Sequence, residues 1–356
     1  MSSVEIMKLV QGNVLSLKPY HVESTDCEIK LHANENPFPP SKELLELFSS
    51  SIQKLQLNRY PDPDSRALKD SIANRLGIET KHLVIGNGSD EIILFLLQVF
   101  CQKGDTITFP DPTFSMYSII AQSLGIKSVS ISLDNHWDFS ADVILQSAEE
   151  NNSKIIFLSY PNNPTGNCFS DTQVQKVIDN FQGIVVIDEA YHDFSRKSFV
   201  NQIKEHNNLI VLRSLSKIGL AALRVGFGVA DPLVISEINK VRLPYNSNTI
   251  SQAFAENLIT NFEAVQTQIN SILDERHRLL DELHKIESVT AFPSDSNFIL
   301  FKTKQPAGSI FAFLSKNGIL VRNLSSHPKL SNCLRVTVGT KSENDRFLSK
   351  LKDFKN

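Results

Sequence analysis

The chain has 356 residues, 41% hydrophobic and 21% charged, a balance that excludes disordered, collagenous and coiled-coil proteins. Its length exceeds what one compact core organises and predicts two domains. Lys plus Arg number 36 against 39 Asp plus Glu, a net charge of −3 that offers neither a basic face for nucleic acid nor an acidic tail.

In chain order, residues 1–40 read as an irregular arm ending in NENPFPP. A helix follows over SKELLELFSSSIQKL with Ser41 as its cap, then the turn RYPDPDS and a helix near 65–76. A strand at 83–85, the loop GNGSDE and an apolar helix from about 90 to 100 come next. Short Val/Ile-rich runs recur at 106–109, 128–133, 155–160, 184–188, 209–214 and 224–230, most of them separated by helix-length segments. Unalternated apolar strands between helices predict an α/β fold with a mostly parallel sheet covered on both faces. The last two runs are joined too closely for a crossover helix, so the final strand is expected to be antiparallel. Residues 232–288 are helical with a period near 3.6, and SVTAF, NFILFK, GILVRN and CLRVTVGT with a terminal helix from 343 make a smaller α+β segment. The expected organisation is an arm over 1–40, a large domain over 41–245 and a small C-terminal domain over 246–356.

Four cysteines (Cys27, Cys101, Cys168 and Cys333) show no metal or redox spacing, as expected of free thiols in a reducing compartment. The opening stretch MSSVEIMKLVQGNV lacks a signal peptide's basic-then-apolar pattern, and the longest apolar run, 92–97, is far short of a bilayer span. A cytoplasmic protein without membrane partners is expected. Glycine is scarce at 14 residues, so clustered glycines mark backbone needs.

In an open parallel sheet, ligands bind beyond the carboxyl ends of the strands, which makes the residues after each strand the candidates. GNGSDE (86–91) either cradles a phosphate on the free N–H groups opening a helix or is a tight turn. Its Glu91 and lack of a P-loop lysine argue against dinucleotide and Walker patterns. PNNPTGN (161–167) either reverses the chain or holds one asparagine at the sheet edge. Asp188 ends an all-apolar strand, where a carboxylate needs a cationic partner, and no metal-spaced ligand set stands nearby. SLSK (214–217), with Arg224 seven residues beyond the lysine, presents a solvated loop lysine or an amine nucleophile. Together these give an anion cradle (Ser89, Asp90, Ser214, Arg224), an amine, a buried acid and an asparagine–tyrosine pair. The set suits pyridoxal 5'-phosphate, a phosphorylated aromatic aldehyde held by the lysine with its ring nitrogen protonated against the acid.

YPNNPTG, VVIDEAY and SLSK…LRVGF, in that order and spacing, resemble the aspartate-aminotransferase-fold (fold type I) pyridoxal-phosphate enzymes. The likeness runs from LHANENP (31–37) to LRVTVGT (334–340). Within that family, NENPFPPS, RYPDP and LRVTVGT look most like the histidinol-phosphate aminotransferases. The resemblance implies that Lys217 carries the cofactor and shuttles the reaction's proton, that Asp188 pairs with the pyridinium nitrogen, and that Asn163 and Tyr191 bond the ring hydroxyl. It implies Phe114 stacked on the ring, with a core position as the alternative. Ser89, Asp90, Ser214 and Arg224 would hold the cofactor phosphate, joined by Tyr60 from the other subunit of a homodimer. Arg335 would fork the carboxylate of glutamate or 2-oxoglutarate. Arg335 with Arg322, Tyr20 and Asn34 would receive the phosphate of histidinol phosphate, ordinary surface positions being the alternative for the last three. Two departures stand out. SKIGLAALR has one residue between the lysine and Gly-Leu where many relatives have two, and His32 replaces a smaller polar residue. The implied reaction is transamination between L-histidinol phosphate and 2-oxoglutarate in histidine biosynthesis. Aromatic amino-acid transamination and decarboxylation of a phosphorylated amino acid are the alternatives. A non-catalytic effector module would need a basic DNA-binding domain.

Overall fold

The computed structural model describes residues 6–19 and 26–354. Its strands are β1 (Ile29–Lys30), β2 (Leu83–Asn87), β3 (Thr106–Asp111), β4 (Lys127–Ser132), β5 (Ser153–Ser159), β6 (Ile184–Asp188) and β7 (Leu209–Ser214). They continue as β8 (Val225–Val229), β9 (Val289–Ala291), β10 (Phe298–Thr303), β11 (Ile319–Leu320), β12 (Arg322–Asn323) and β13 (Cys333–Thr337).

The central sheet has seven strands in the order β2-β8-β7-β6-β5-β3-β4. β7, β6, β5, β3 and β4 run parallel, and β8 is antiparallel to both its neighbours, as its short link to β7 predicts. That link holds only two single-turn 3-10 helices, Leu215–Ile218 and Ala221–Leu223, too little chain to cross the sheet. Alternate residues of one strand feed the two faces, since side chains alternate across a strand. Ile156 and Leu158 pack on one side with Ile72, Ile144 and Val174, while Ile155 and Phe157 pack on the other with Ile92, Leu96 and Tyr117. Double-sided burial is why these strands read as continuous apolar runs.

Ser41 caps its helix, Lys42–Ile52, by accepting from Leu44 N at 3.2 Å. The long helical stretch divides into Pro232–Val241, Thr249–Thr260 and Glu263–His284, the first two opened by side-chain caps at Asp231 and Asn248. The middle helix lies against Lys42–Ile52, where the Phe48 and Phe254 rings stack at 4.1 Å and Asn257 donates to Ser51 at 2.6 Å.

A second sheet, antiparallel, has the order β12-β13-β10-β9. The run GILVRN, expected as one strand, is two: β11 pairs parallel with β1 and β12 pairs with β13, the chain switching sheets at the buried Val321. The arm is correspondingly less irregular than expected. It supplies β1 and a short helix, Gly12–Leu15, whose neighbouring contact is Asn13 Nδ2 donating to Ser123 O at 2.8 Å. Two-residue strands leave no periodic trace, because only the partner strand makes them strands. Among the described residues no helix is long and apolar enough to cross a membrane, and no cluster of His, Cys, Asp and Glu could hold a metal.

Candidate active site

The carboxyl ends of β2, β3, β5, β6 and β7 open into a cavity of about 430 Å³ whose other wall comes from the arm, β12 and β13. Thirteen of the fourteen residues singled out from sequence fall in the described part, and all of these but Tyr60 line the cavity.

The anion cradle forms where β2 turns into the Ser89–Phe100 helix. Gly88 precedes it with φ of +84°, leaving the Ser89 and Asp90 N–H groups at the positive end of the helix dipole. A Cβ on Gly88 would lie 2.6 Å from Arg224 Nη2, and one on Gly226 only 2.3 Å from Ser89 N. Both glycines therefore serve close approach, one to a guanidinium and one to the helix start. The shortened SKIGLAALR turn still delivers Arg224. Gly219 (φ +119°) and Arg224 itself (φ +54°) adopt left-handed backbone around the second 3-10 turn. The guanidinium donates to Ser216 Oγ at 3.3 Å and stands 3.4 Å from Asp90 Oδ2. Ser214 Oγ accepts from Ser216 N at 3.2 Å, holding the turn that carries Lys217.

Asp188, at the end of β6, is 3% exposed. It accepts from Tyr117 OH at 2.8 Å and from Ala190 N at 3.1 Å. Burial raises its pKa from 3.8 to about 6, while Tyr117 and Ala190 pull the other way. Burial and the adjacent carboxylate push the Tyr117 phenol far above its usual range, so Tyr117 remains a donor. Glu189, next in sequence, turns beneath the sheet to Arg213 Nε at 3.0 Å and Phe199 N at 2.7 Å. Of the Asp-Glu pair, only Asp188 faces the cavity. Lys217 Nζ lies 5.7 Å from the Tyr191 ring centre and donates to Ala33 O at 3.5 Å. Phe114 sits edge-on to Tyr117 at 5.5 Å, its ring bordering the cavity.

The two asparagines of PNNPTG divide their work. Asn162 is fully buried and braces the turn through Pro112 O at 3.0 Å, Thr165 Oγ1 at 2.8 Å and Thr113 Oγ1 at 2.7 Å. Asn163 faces the cavity and accepts from Arg335 Nη1. Arg335 also donates to His32 O at 2.8 Å and lies over the Phe298 ring at 5.1 Å. Arg322 is its direct cross-strand partner in the β12–β13 ladder. Both arginines line the cavity. Asn34, for which a surface position was the alternative, is 1% exposed with φ of +56°. It donates to Tyr191 OH at 2.8 Å and to Thr337 Oγ1 through its backbone N–H at 3.0 Å.

Tyr60 lies outside the cavity of its own chain, 80% exposed and stacked on Tyr245 at 4.5 Å. Tyr20 lies outside the described residues. Three contributors were not anticipated from sequence. Tyr117, in the first turn of the Met116–Ser123 helix and edge-on to Phe114, stands in the motif DPTFSMY and was findable there; Thr337 and the Asp111–His327 contact (3.1 Å) join segments far apart in the chain and carry no local signal.

Residues 27–351 match the family model described as aminotransferase class I and II. A histidinol-phosphate aminotransferase of Aquifex aeolicus is 38% identical, covering 97% of this chain and 98% of its own. One from Nitrosococcus oceani is also 38% identical, over 99% of both. The solved structure of a histidinol-phosphate aminotransferase from Sinorhizobium meliloti, in complex with pyridoxal-5'-phosphate, has the same fold, with a TM-score of 0.88 over 97% of each chain at 20% identity. The parallel sheet with its active-site edge, the ordered motifs along that edge and the near full-length match agree: the chain belongs to the class I and II aminotransferase family.

Proposed function

We propose that the protein catalyses reversible amino transfer between L-histidinol phosphate and 2-oxoglutarate with pyridoxal 5'-phosphate, giving imidazole acetol phosphate and L-glutamate. The observation that carries this reading is one cavity with Lys217, Asp188 and the Arg224 cradle on its floor and the Arg322–Arg335 pair on the opposite wall. The near full-length similarity to proteins named histidinol-phosphate aminotransferase supports the choice of substrate.

The residues suit the cofactor. Asp188 is a buried carboxylate whose hydrogen bonds come from a phenol and a backbone N–H, so a pyridinium gives it the cation that burial demands. The cradle bounded by Gly88, Ser89 and Arg224 has the donors and the clearance a phosphate needs. When bound, the cofactor supplies an electron sink for the carbanion formed at the substrate's amine-bearing carbon.

The chain's own groups do the rest. Ionised Asp188, kept in orientation by Tyr117, holds the ring nitrogen's proton. Tyr191, aimed by Asn34, and Asn163, aimed by Arg335, orient the ring through its hydroxyl. Phe114 covers a ring face and excludes water. Lys217 would hold the cofactor through its aldehyde and, once freed by the substrate amine, would move the proton to and from the reacting carbon as general base and acid. Arg335 forks the carboxylate of the second substrate, and Arg335 with Arg322 receives the phosphate of the first. One anion site serving two substrates in turn agrees with a ping-pong sequence. Tyr60, exposed and remote from its own cavity, is assigned to the cradle of a second copy in a homodimer, and the enzyme to the cytoplasm. The division into a large domain over 41–245 and a small one over 246–356 belongs to the same reading.

Spectral titration of the half-reaction tests it. Histidinol phosphate should convert the cofactor more efficiently than phenylalanine by more than about 100-fold, the effect of losing a charge-paired group. Comparable efficiency with phenylalanine, or release of CO₂ from a phosphorylated amino acid, would replace this reading with one of the two alternatives.

A further inference from the structure

The roles above leave the Asp111–His327 contact unused, although it joins two walls of the cavity. Asp111 ends β3, and Pro112, Thr113 and Phe114, which follow it, line the cofactor side. His327 belongs to the link between β12 and β13, which lines the opposite side through Leu324, Ser326, His327 and Leu330. His327 Nδ1 accepts from Lys329 N at 3.3 Å, so the ring carries its proton on Nε2, which donates to Asp111 Oδ1 at 3.1 Å. The base of the link is held separately. Lys329 Nζ donates to Leu133 O at 3.0 Å, and the buried Leu330 packs with Leu300 and Cys333 beside Trp137. The stretch between His327 and β12 has no such apolar anchor, since Ser325 and Ser326 are not buried and Ser325 bonds only back to Asn323.

The other end of that stretch is Arg322. β12 is a two-residue strand at the edge of its sheet, paired on one side only, so its backbone depends on the link that follows as well as on β13. Arg335 lies on β13, flanked by β12 and β10, and its side chain is braced by Asn163 and His32 O. The two arginines therefore differ in how their places are fixed.

We propose that His327 is a positioning residue that acts through Arg322: its bond to Asp111 pins the β12 side of the link to the cofactor edge and so sets Arg322 for the phosphate of the phosphorylated substrate. The proposal rests on the functional reading above. Without the bond, β12 spends less time in place, and affinity for a ligand that uses Arg322 falls by that fraction. The His327 and Asp111 side chains are 31% and 32% exposed, so water weakens the bond and the loss is about three- to tenfold. A carboxylate forked by Arg335 is little affected.

Single-turnover kinetics of the holoenzyme, followed through the cofactor's absorbance, separate affinity from limiting rate. In His327→Ala the apparent dissociation constant of histidinol phosphate should rise by about three- to tenfold, while that of L-glutamate, the limiting rates and the cofactor affinity stay within about twofold. Asp111→Ala should match it, and His327→Gln, whose amide can donate to Asp111, should recover most of the loss. Arg322→Ala should weaken histidinol phosphate further than either, and adding His327→Ala to it should change nothing more, because the imidazole acts only through the guanidinium. A loss that multiplies in that double variant marks direct contact between His327 and the ligand and overturns the proposal. Unchanged constants, equal weakening of glutamate, a parallel fall in cofactor affinity or no recovery with glutamine overturn it as well. Inorganic phosphate, as an inhibitor of the glutamate half-reaction, separates this idea from the functional reading. If wild type favours phenylalanine over histidinol phosphate, that reading fails, while phosphate inhibition weakened by His327→Ala, and not further in the Arg322→Ala background, still supports the role of His327.

Discussion

Replacing Asp188 with asparagine should stabilise the cofactor-free protein while removing its use in catalysis. The carboxyl is 3% exposed, and burial lifts its pKa from 3.8 to about 6. The folded protein thus holds this proton more tightly than the unfolded chain. Its contribution to stability is complete below about pH 3.8, declines as pH rises, and is lost above about pH 6. A rise of about two pH units, at about 1.4 kcal/mol each, makes the ionised carboxylate cost about 3 kcal/mol at pH 8 and about half that at pH 5. Asparagine keeps the shape. Its oxygen can accept from Ala190 N, and its amide can donate to a Tyr117 hydroxyl that turns to accept. Urea unfolding of the cofactor-stripped proteins should therefore show Asp188→Asn more stable than wild type by about 2–3 kcal/mol at pH 8, with a smaller margin at pH 5. With cofactor, the same variant should slow the histidinol phosphate half-reaction by at least about 100-fold, because the pyridinium loses its charged partner. A variant less stable than wild type at pH 8, or a margin that ignores pH, would refute the burial argument. A near-normal half-reaction would refute the role in catalysis.

Gly88→Ala sets a Cβ 2.6 Å from Arg224 Nη2 at a backbone φ of +84°, so cofactor affinity should fall by about 10- to 100-fold in an equilibrium titration. Undiminished affinity would remove Arg224 from the phosphate site. Lys217→Ala should abolish turnover and the borohydride-fixed cofactor adduct together, and an adduct surviving on another residue would contradict the assignment of the amine. Dilution that separates the subunits should release cofactor and end turnover in parallel, and Tyr60→Phe should shift that release to higher protein concentration. A fully active monomer would show that the exposed Tyr60 ring serves no second cradle.

The local elements and the chemistry at the strand ends were legible from the chain alone, because both are written in neighbouring residues. Seven apolar runs, most of them separated by helical stretches, specify a covered, mostly parallel sheet, and strand-end placement then puts Lys217, Asp188 and Arg224 on one edge. Scarce glycine pointed to Gly88 and Gly226 for the same reason, since a missing Cβ is a local property with a local use. Relations between distant segments were not legible. Whether Asn162 or Asn163 faces the cavity depends on Pro112 and Thr113, some fifty residues away, which claim the first. Asn34 reads as an ordinary arm residue until Thr337 and Tyr191 close around it, 303 and 157 residues later. GILVRN is one apolar run in the chain and two strands in the fold, because β1 and β13 compete for its halves. Periodicity and turn chemistry act over a few residues, whereas a buried hydrogen bond is decided by whatever the packed chain brings within 3 Å. Tertiary structure alone decided which polar side chains face the cofactor edge, and it alone brought His32 beside the arginine pair.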